Sequence, residues 1–158
     1  MRWLLAAMIA LSLSALFAGQ PAQAQRSALQ ILSATKAPLT LQRAELEKLG
    51  VETLKTSTPW TDGVMTFEGV SLKKVVDLVR AGEKTAVLTA LNDYSTEIPL
   101  SDLDSWPVLI AWRMNGQDLT PRDKGYYWII YPLDDHKELR NPATHQKLIW
   151  QLKQIEIK

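Results

Sequence analysis

The chain has no cysteine. It can form no disulfide, so its stability must come from burial, and thiolate metal sites, iron–sulfur clusters, c-type haem attachment and a cysteine nucleophile are all excluded. Histidine is nearly as scarce, with only His136 and His145. A zinc or haem site would need further partners that the sequence does not identify. No Gly-x-Ser-x-Gly, Gly-x-x-x-x-Gly-Lys, His-Glu-x-x-His or Gly-x-Gly-x-x-Gly stretch occurs, so the usual local signatures of hydrolases, phosphate loops, zinc proteases and dinucleotide folds are missing. There is no basic run either: 18 Lys and Arg are interspersed with 17 Asp and Glu, which argues against a nucleic-acid partner.

Long apolar runs are confined to the beginning. Arg2 precedes the apolar stretch Leu4 to Phe17, and Ala22-Gln23-Ala24 places small residues where a signal peptidase cuts. The run falls short of the roughly 20 residues a spanning helix needs. Residues 1–24 therefore read as a signal peptide, and the mature chain, 25–158, as one domain that is periplasmic or secreted and has no membrane span after cleavage.

Turn signals and apolar periodicity divide that domain. Leu29–Ser33 and Val51–Thr56 read as strands. Between them, Thr40 suits an N-cap and Gly50 a C′ stop for a short helix. Pro59 and Asp62-Gly63 punctuate a turn before a short strand, Met65 to Gly69. Ser71 opens a helix in which Leu72, Val75, Val76 and Val79 share one face. Thr85–Leu91 and Tyr94–Pro99 form a hairpin through Asn92-Asp93. Ser101–Leu103 allows a helical turn, and Val108–Met114 runs into Asn115-Gly116, the type I′ hairpin dipeptide. Trp128–Tyr131 is a buried-type strand stopped by Pro132, and Asp134–Arg140 a charged surface loop. Asn141 and Pro142 start a short helix, and Gln151–Ile157 closes the chain as a strand. Strands with two or three short helices in no regular alternation predict an α+β fold, a single domain with a mixed, mainly antiparallel sheet.

Polar and aromatic groups concentrate beside the probable core strands. Trp60, Tyr94, Tyr126 and their aromatic neighbours fit core packing, the ordinary role of such rings. Those near charge fit a pocket for a small anion or planar ring. Asn92, Asp93 and Tyr94 would form one wall and Arg113, Lys124 and Tyr126 the other, with Trp60 as a cover. Arg113 would supply forked donors and the rings a stacking face; equally, Arg113 and Lys124 fit solvated cations or ion pairs with Asp93 or Asp123. His136 and His145 read as surface histidines. Turn aspartates usually accept backbone N–H bonds, and nothing in their spacing selects a glycosidase pair.

Several of these stretches resemble one family. Gly69-Val70-Ser71-Leu72 is similar to a Gly-Val-x-Leu helix start. Asn92-Asp93-Tyr94 through Ile98-Pro99-Leu100 is similar to an Asp-Gly-Tyr…Ile-Pro-Leu strand. Val108 through Met114-Asn115-Gly116 to Leu119 resembles a Met-Asn-Gly hairpin, Lys124–Pro132 a strand that follows it, and Lys147–Ile157 the close. Their order is that of the oxidoreductase molybdopterin-binding domain, the catalytic fold of sulfite oxidases, over most of residues 28–157. In the catalytic members a cysteine thiolate binds molybdenum shortly before the Gly-Val-x-Leu helix. Here the corresponding stretch, Lys55–Asp62, offers Thr56, Ser57 and Thr58, whose hydroxyls stay protonated near neutral pH and are harder ligands. The resemblance is closest to short exported members that keep the scaffold without the metal ligand. It implies a domain that is not an enzyme and holds no cofactor, binding a small-molecule ligand or an inner-membrane sensor or redox partner protein. A molybdopterin-dependent oxidoreductase that holds its cofactor without a cysteine bond is the alternative.

Overall fold

The structure, a computed structural model, describes residues 27–158; the expected leader and its cleavage site lie outside them. In chain order the elements are β1 (Leu29–Ser33), β2 (Leu39–Leu41), α1 (Arg43–Lys48), β3 (Glu52–Thr56), β4 (Met65–Ser71), α2 (Leu72–Asp77), β5 (Thr85–Ala90) and β6 (Ser95–Pro99). They continue with α3 (Leu100–Ser105), β7 (Leu109–Met114), β8 (Gln117–Asp118), β9 (Trp128–Ile130), a 3-10 turn (Lys137–Leu139), α4 (Pro142–Lys147) and β10 (Leu152–Ile157). The fold is α+β. The strands divide between two sheets rather than one. The first runs β2-β1-β10-β5-β6, and the second runs β3-β4-β7-β8 with β9 also paired to β7. Among the described residues, only β1 and β10 pair in parallel.

Strand alternation builds the core. Ile110 and Trp112 of β7, with Ile129 of β9, join residues of the first sheet, α2 and α3 in the main core. Leu109 and Ala111, with Trp128 and Ile130, face the other way and pack with Phe67 in a second cluster. Both faces of β7 and β9 are thus buried, which explains why these strands read as continuous apolar runs. Gly69 lets β4 approach β7: a Cβ there would lie 2.0 Å from the Ile110 carbonyl oxygen.

The stripe of Leu72, Val75 and Val76 in α2, with Val79 just past its end, is buried as its spacing predicts. The first helix differs from expectation. Thr40 lies in β2, paired with Gln30, and α1 starts only after Gln42, whose backbone N–H donates to the Glu45 carboxylate. Edge pairing with β1 therefore takes the backbone that capping by Thr40 would require. The loop 134–140 is less superficial than its charges suggest, because Leu139 within it is buried.

Candidate functional site

Three chain segments meet around a cavity of about 300 Å³ lined by Trp60, Ala90, Asn92, Tyr94, His145, Gln146 and Leu148–Trp150. The β5–β6 turn supplies the first wall. Asp93 takes a left-handed φ of 65°, tolerable for an aspartate, and its N–H donates to the Ala90 carbonyl at 3.0 Å. The Asn92 side-chain oxygen accepts from the Tyr94 N–H at 3.2 Å, the usual behaviour of a turn asparagine.

α4 and the residues after it supply the second wall. The Asn141 side chain accepts the Thr144 N–H at 2.9 Å with Pro142 in the first turn, so this helix start is as predicted. The two walls are tied where the Tyr94 hydroxyl donates to the Gln146 carbonyl at 3.2 Å. Beneath, the Trp128 indole N–H donates to the Leu148 carbonyl at 3.0 Å.

The third segment carries Trp60. The Thr58 N–H donates to the Thr61 hydroxyl at 2.9 Å and the Trp60 N–H to the Thr58 hydroxyl at 3.2 Å. This turn sets the Trp60 ring edge-on to Trp150, 5.1 Å between centroids, and 6.4 Å from His145. The segment is anchored from the far side by Asp134. That carboxylate accepts the Ser57 N–H at 2.7 Å, the Ser57 hydroxyl at 2.6 Å and an Arg140 N–H at 2.7 Å. The Ser57 hydroxyl first, and Arg140 after it, hold the Asp134 carboxyl below the usual aspartate value. A second staple fixes α4. Lys147 donates to Asp102 at 2.7 Å and so does the Tyr131 hydroxyl at 2.9 Å. Burial, with Asp102 adding to it, pushes the Tyr131 phenol well above its ordinary value.

Of the residues singled out in the sequence, Trp60, Asn92 and Tyr94 come together on the cavity. Asp93, beside them, is exposed and ion-paired with Lys153. The expected opposite wall is not there. Arg113 faces its cross-strand neighbours Glu68 on β4 and Asp118 on β8 and is paired with both, at 3.1 and 3.0 Å. Its pairing thus involves neither Asp93 nor Asp123. Arg43 and Arg113 hold the Asp118 carboxyl below its ordinary value, Arg43 contributing most. Tyr126 lines a separate hollow with Arg43 and Trp112. In that hollow Tyr127 is buried and its hydroxyl has no hydrogen-bond partner among the described residues; burial pushes its pKa up to about 12. Lys124 lies over the Trp150 ring, 4.4 Å from its centroid, and 5.3 Å from that of Trp128. It is not among the lining residues of the cavity.

His145 is the residue that sequence reading missed. It is half-buried on the cavity wall rather than on the open surface. The available signal was the phase set by Asn141-Pro142. With Thr144 and Leu148 buried four residues apart, His145 falls on the neighbouring stripe. His136 is also only part-exposed, and packs against Trp106 at 4.7 Å.

The family model for the oxidoreductase molybdopterin binding domain matches residues 10–126. The chain belongs to that family. The match ends before β9 and β10, so most of the Lys124–Pro132 stretch and all of Lys147–Ile157 lie outside it. Among solved structures, the sulfane dehydrogenase SoxCD of Paracoccus pantotrophus superposes with a TM-score of 0.61 at 15% identity, over 84% of this chain. This chain spans only 38% of the length of that one. At such identity the likeness establishes the sulfite-oxidase-like fold and leaves activity open. No curated protein matches the chain.

The residues present do not fit a cysteine-type molybdenum site. The hydroxyls of Thr56, Ser57 and Thr58 are all committed. The buried Thr56 hydroxyl donates to the Ser57 carbonyl at 3.2 Å and accepts the Asp134 N–H at 3.1 Å. The Ser57 hydroxyl is held by Asp134, and that of Thr58 is shared with Thr61 and Trp60. Among the described residues no three His, Cys, Asp or Glu side chains converge as metal ligands. The stretch offers hydroxyls, which are harder ligands than a thiolate and stay protonated near neutral pH.

Proposed function

We propose that this domain is a binding module on a sulfite-oxidase scaffold, working in the periplasm or outside the cell, that takes a small ligand in the Trp60–His145 cavity. The observation that carries this reading is the exchange of roles at one segment. Residues 56–58, where catalytic relatives place a thiolate, are spent on hydrogen bonds, and two residues on the same turn presents Trp60 to a ring-lined cavity. A concave apolar site with a few polar groups is the usual form of a ligand pocket. The leader-like start of the sequence supports export. A sensory or accessory role, with an inner-membrane sensor or redox protein as partner, fits a domain of this kind.

Native mass spectrometry of protein purified from its own compartment tests the reading. The expected result is a bound small molecule that is lost in Trp60→Ala, with no molybdenum and no pterin fluorescence. Family membership supports the second reading, a molybdopterin-dependent oxidoreductase without a cysteine bond. Stoichiometric molybdenum in protein from molybdenum-replete cells would establish that alternative and end the first.

A further inference from the structure

We propose that the cavity takes a single-ring aromatic carboxylate, its ring against Trp60 and Trp150 and its carboxylate on the His145 imidazole and the Asn92 carboxamide N–H. This deepens the ligand-binding reading above and rests on it. The argument begins with charge. None of the lining residues is Asp or Glu, and the adjacent Asp93 is already paired with Lys153. A cationic ligand would find no counter-charge. It would also compete with Lys124, whose ammonium lies over the Trp150 ring and draws on the same ring quadrupole. That ammonium has no ion-pair partner among the described residues, so it leaves positive potential behind the ring wall.

The polar groups point to the same class. The His145 side chain makes no hydrogen bond or ion pair among the described residues; its one ring contact is with Trp60. Asn92 uses its oxygen on the Tyr94 N–H, which leaves its Nδ2 hydrogens free to donate. Two unpartnered donor groups therefore border a hollow that Trp60, Ala90, Leu148, Ile149 and Trp150 line with apolar surface, with Tyr94 and Gln146 completing the lining. Asn92 is exposed and His145 half-buried, and a donor without a protein partner gains most from a charged acceptor. At about 300 Å³ the cavity stands at the small end of ligand pockets, so one ring and one carboxylate are what it can enclose.

Calorimetric titration with four probes tests this: benzoate, benzyl alcohol, benzylamine and acetate. Benzoate is expected to bind about tenfold more tightly than benzyl alcohol, the increment of one charge-assisted hydrogen bond. Benzylamine should bind more weakly than benzyl alcohol, and acetate should show no saturable binding. His145→Leu should bring benzoate down to the affinity of benzyl alcohol, and Asn92→Ala gives a second measure on an exposed turn if that variant does not fold. Equal binding of benzoate and benzyl alcohol would overturn the carboxylate inference while leaving the cavity a ligand site. A preference for benzylamine would overturn it too. If no ring compound binds and Trp60→Ala changes nothing, the ligand-binding reading fails with it.

Discussion

Around Arg113 charged side chains are paired off in one alternating network. Glu47, Arg43, Asp118, Arg113 and Glu68 alternate in sign across α1, β8, β7 and β4, with N···O distances of 2.9 to 3.1 Å. Around Trp60 the arrangement is reversed: rings and aliphatic groups form most of the walls, and among the described residues the His145 side chain and the Asn92 amide N–H have no hydrogen-bond partner. The difference shows where free donor capacity is left in this molecule. A cation beside aromatics in sequence does not make an anion site if the sheet register sets carboxylates opposite it. A histidine on a short helix can make one if its neighbours are apolar.

Three substitutions probe this contrast, beginning with the one of largest expected effect. Gly125 takes φ +75° and a Cβ there would lie 2.6 Å from Gln151 Cα. Gly125→Ala should destabilise the fold on the order of 3 kcal/mol, from left-handed strain and overpacking together, read as a lowered midpoint in urea. It should also shift Lys124 and Trp150, and so weaken ring binding in whatever protein remains folded. An unchanged midpoint would mean that the contact behind the aromatic wall is not as tight as described.

Asp134→Asn comes next. It leaves the Ser57 hydroxyl or the Arg140 guanidinium without its charged acceptor and should cost about 2 kcal/mol. The Asp134 carboxyl is held below its ordinary value in the folded state. Its contribution is therefore complete above the ordinary aspartate pKa, about 3.9, and is lost as pH falls through the depressed folded value. The difference in thermal midpoint between wild type and Asp134→Asn should be constant near neutral pH and shrink only in acid below that value. A gap that closes already near pH 6 would rule out this assignment.

The smallest effect is expected at the ionic side. Arg113 and its partners are partly solvated, and such pairs add little to stability. Arg113→Ala should lower the thermal midpoint less than Asp134→Asn, lose that difference in high salt, and leave benzoate titrations as in wild type. A loss of benzoate binding in this variant would return Arg113 to the ligand site and erase the contrast.

Most of the scaffold was legible in the sequence because it depends on local rules. The apolar runs at β7 and β9, the 3.6-residue stripe of α2, the Asn115-Gly116 hairpin and the Asn141-Pro142 helix start follow from periodicity and turn chemistry. Asn115 and Gly116 both take positive φ, 50° and 77°, as a type I′ turn requires. What could not be read depends on distant pairing. Glu68 lies 45 residues before Arg113 and neutralises it only once β4 and β7 are in register. Ser57 and Asp134 are 77 residues apart, so the hydroxyls that stand in for a thiolate could be recognised as non-ligands but not as an anchor. Division of the strands into two sheets is likewise a matter of long-range order.

The placement of β10 has a consequence for how the molecule is made. This strand lies between β1 and β5 in the first sheet, so β1 at the start of the domain has no route to β5 except through residues 152–157. Until those residues leave the ribosome, that sheet stays in two halves, each with an open edge. Contacts of such sequence separation form late and slowly. The domain can therefore close only once residues 152–157 have been synthesised, however early its other strands are made.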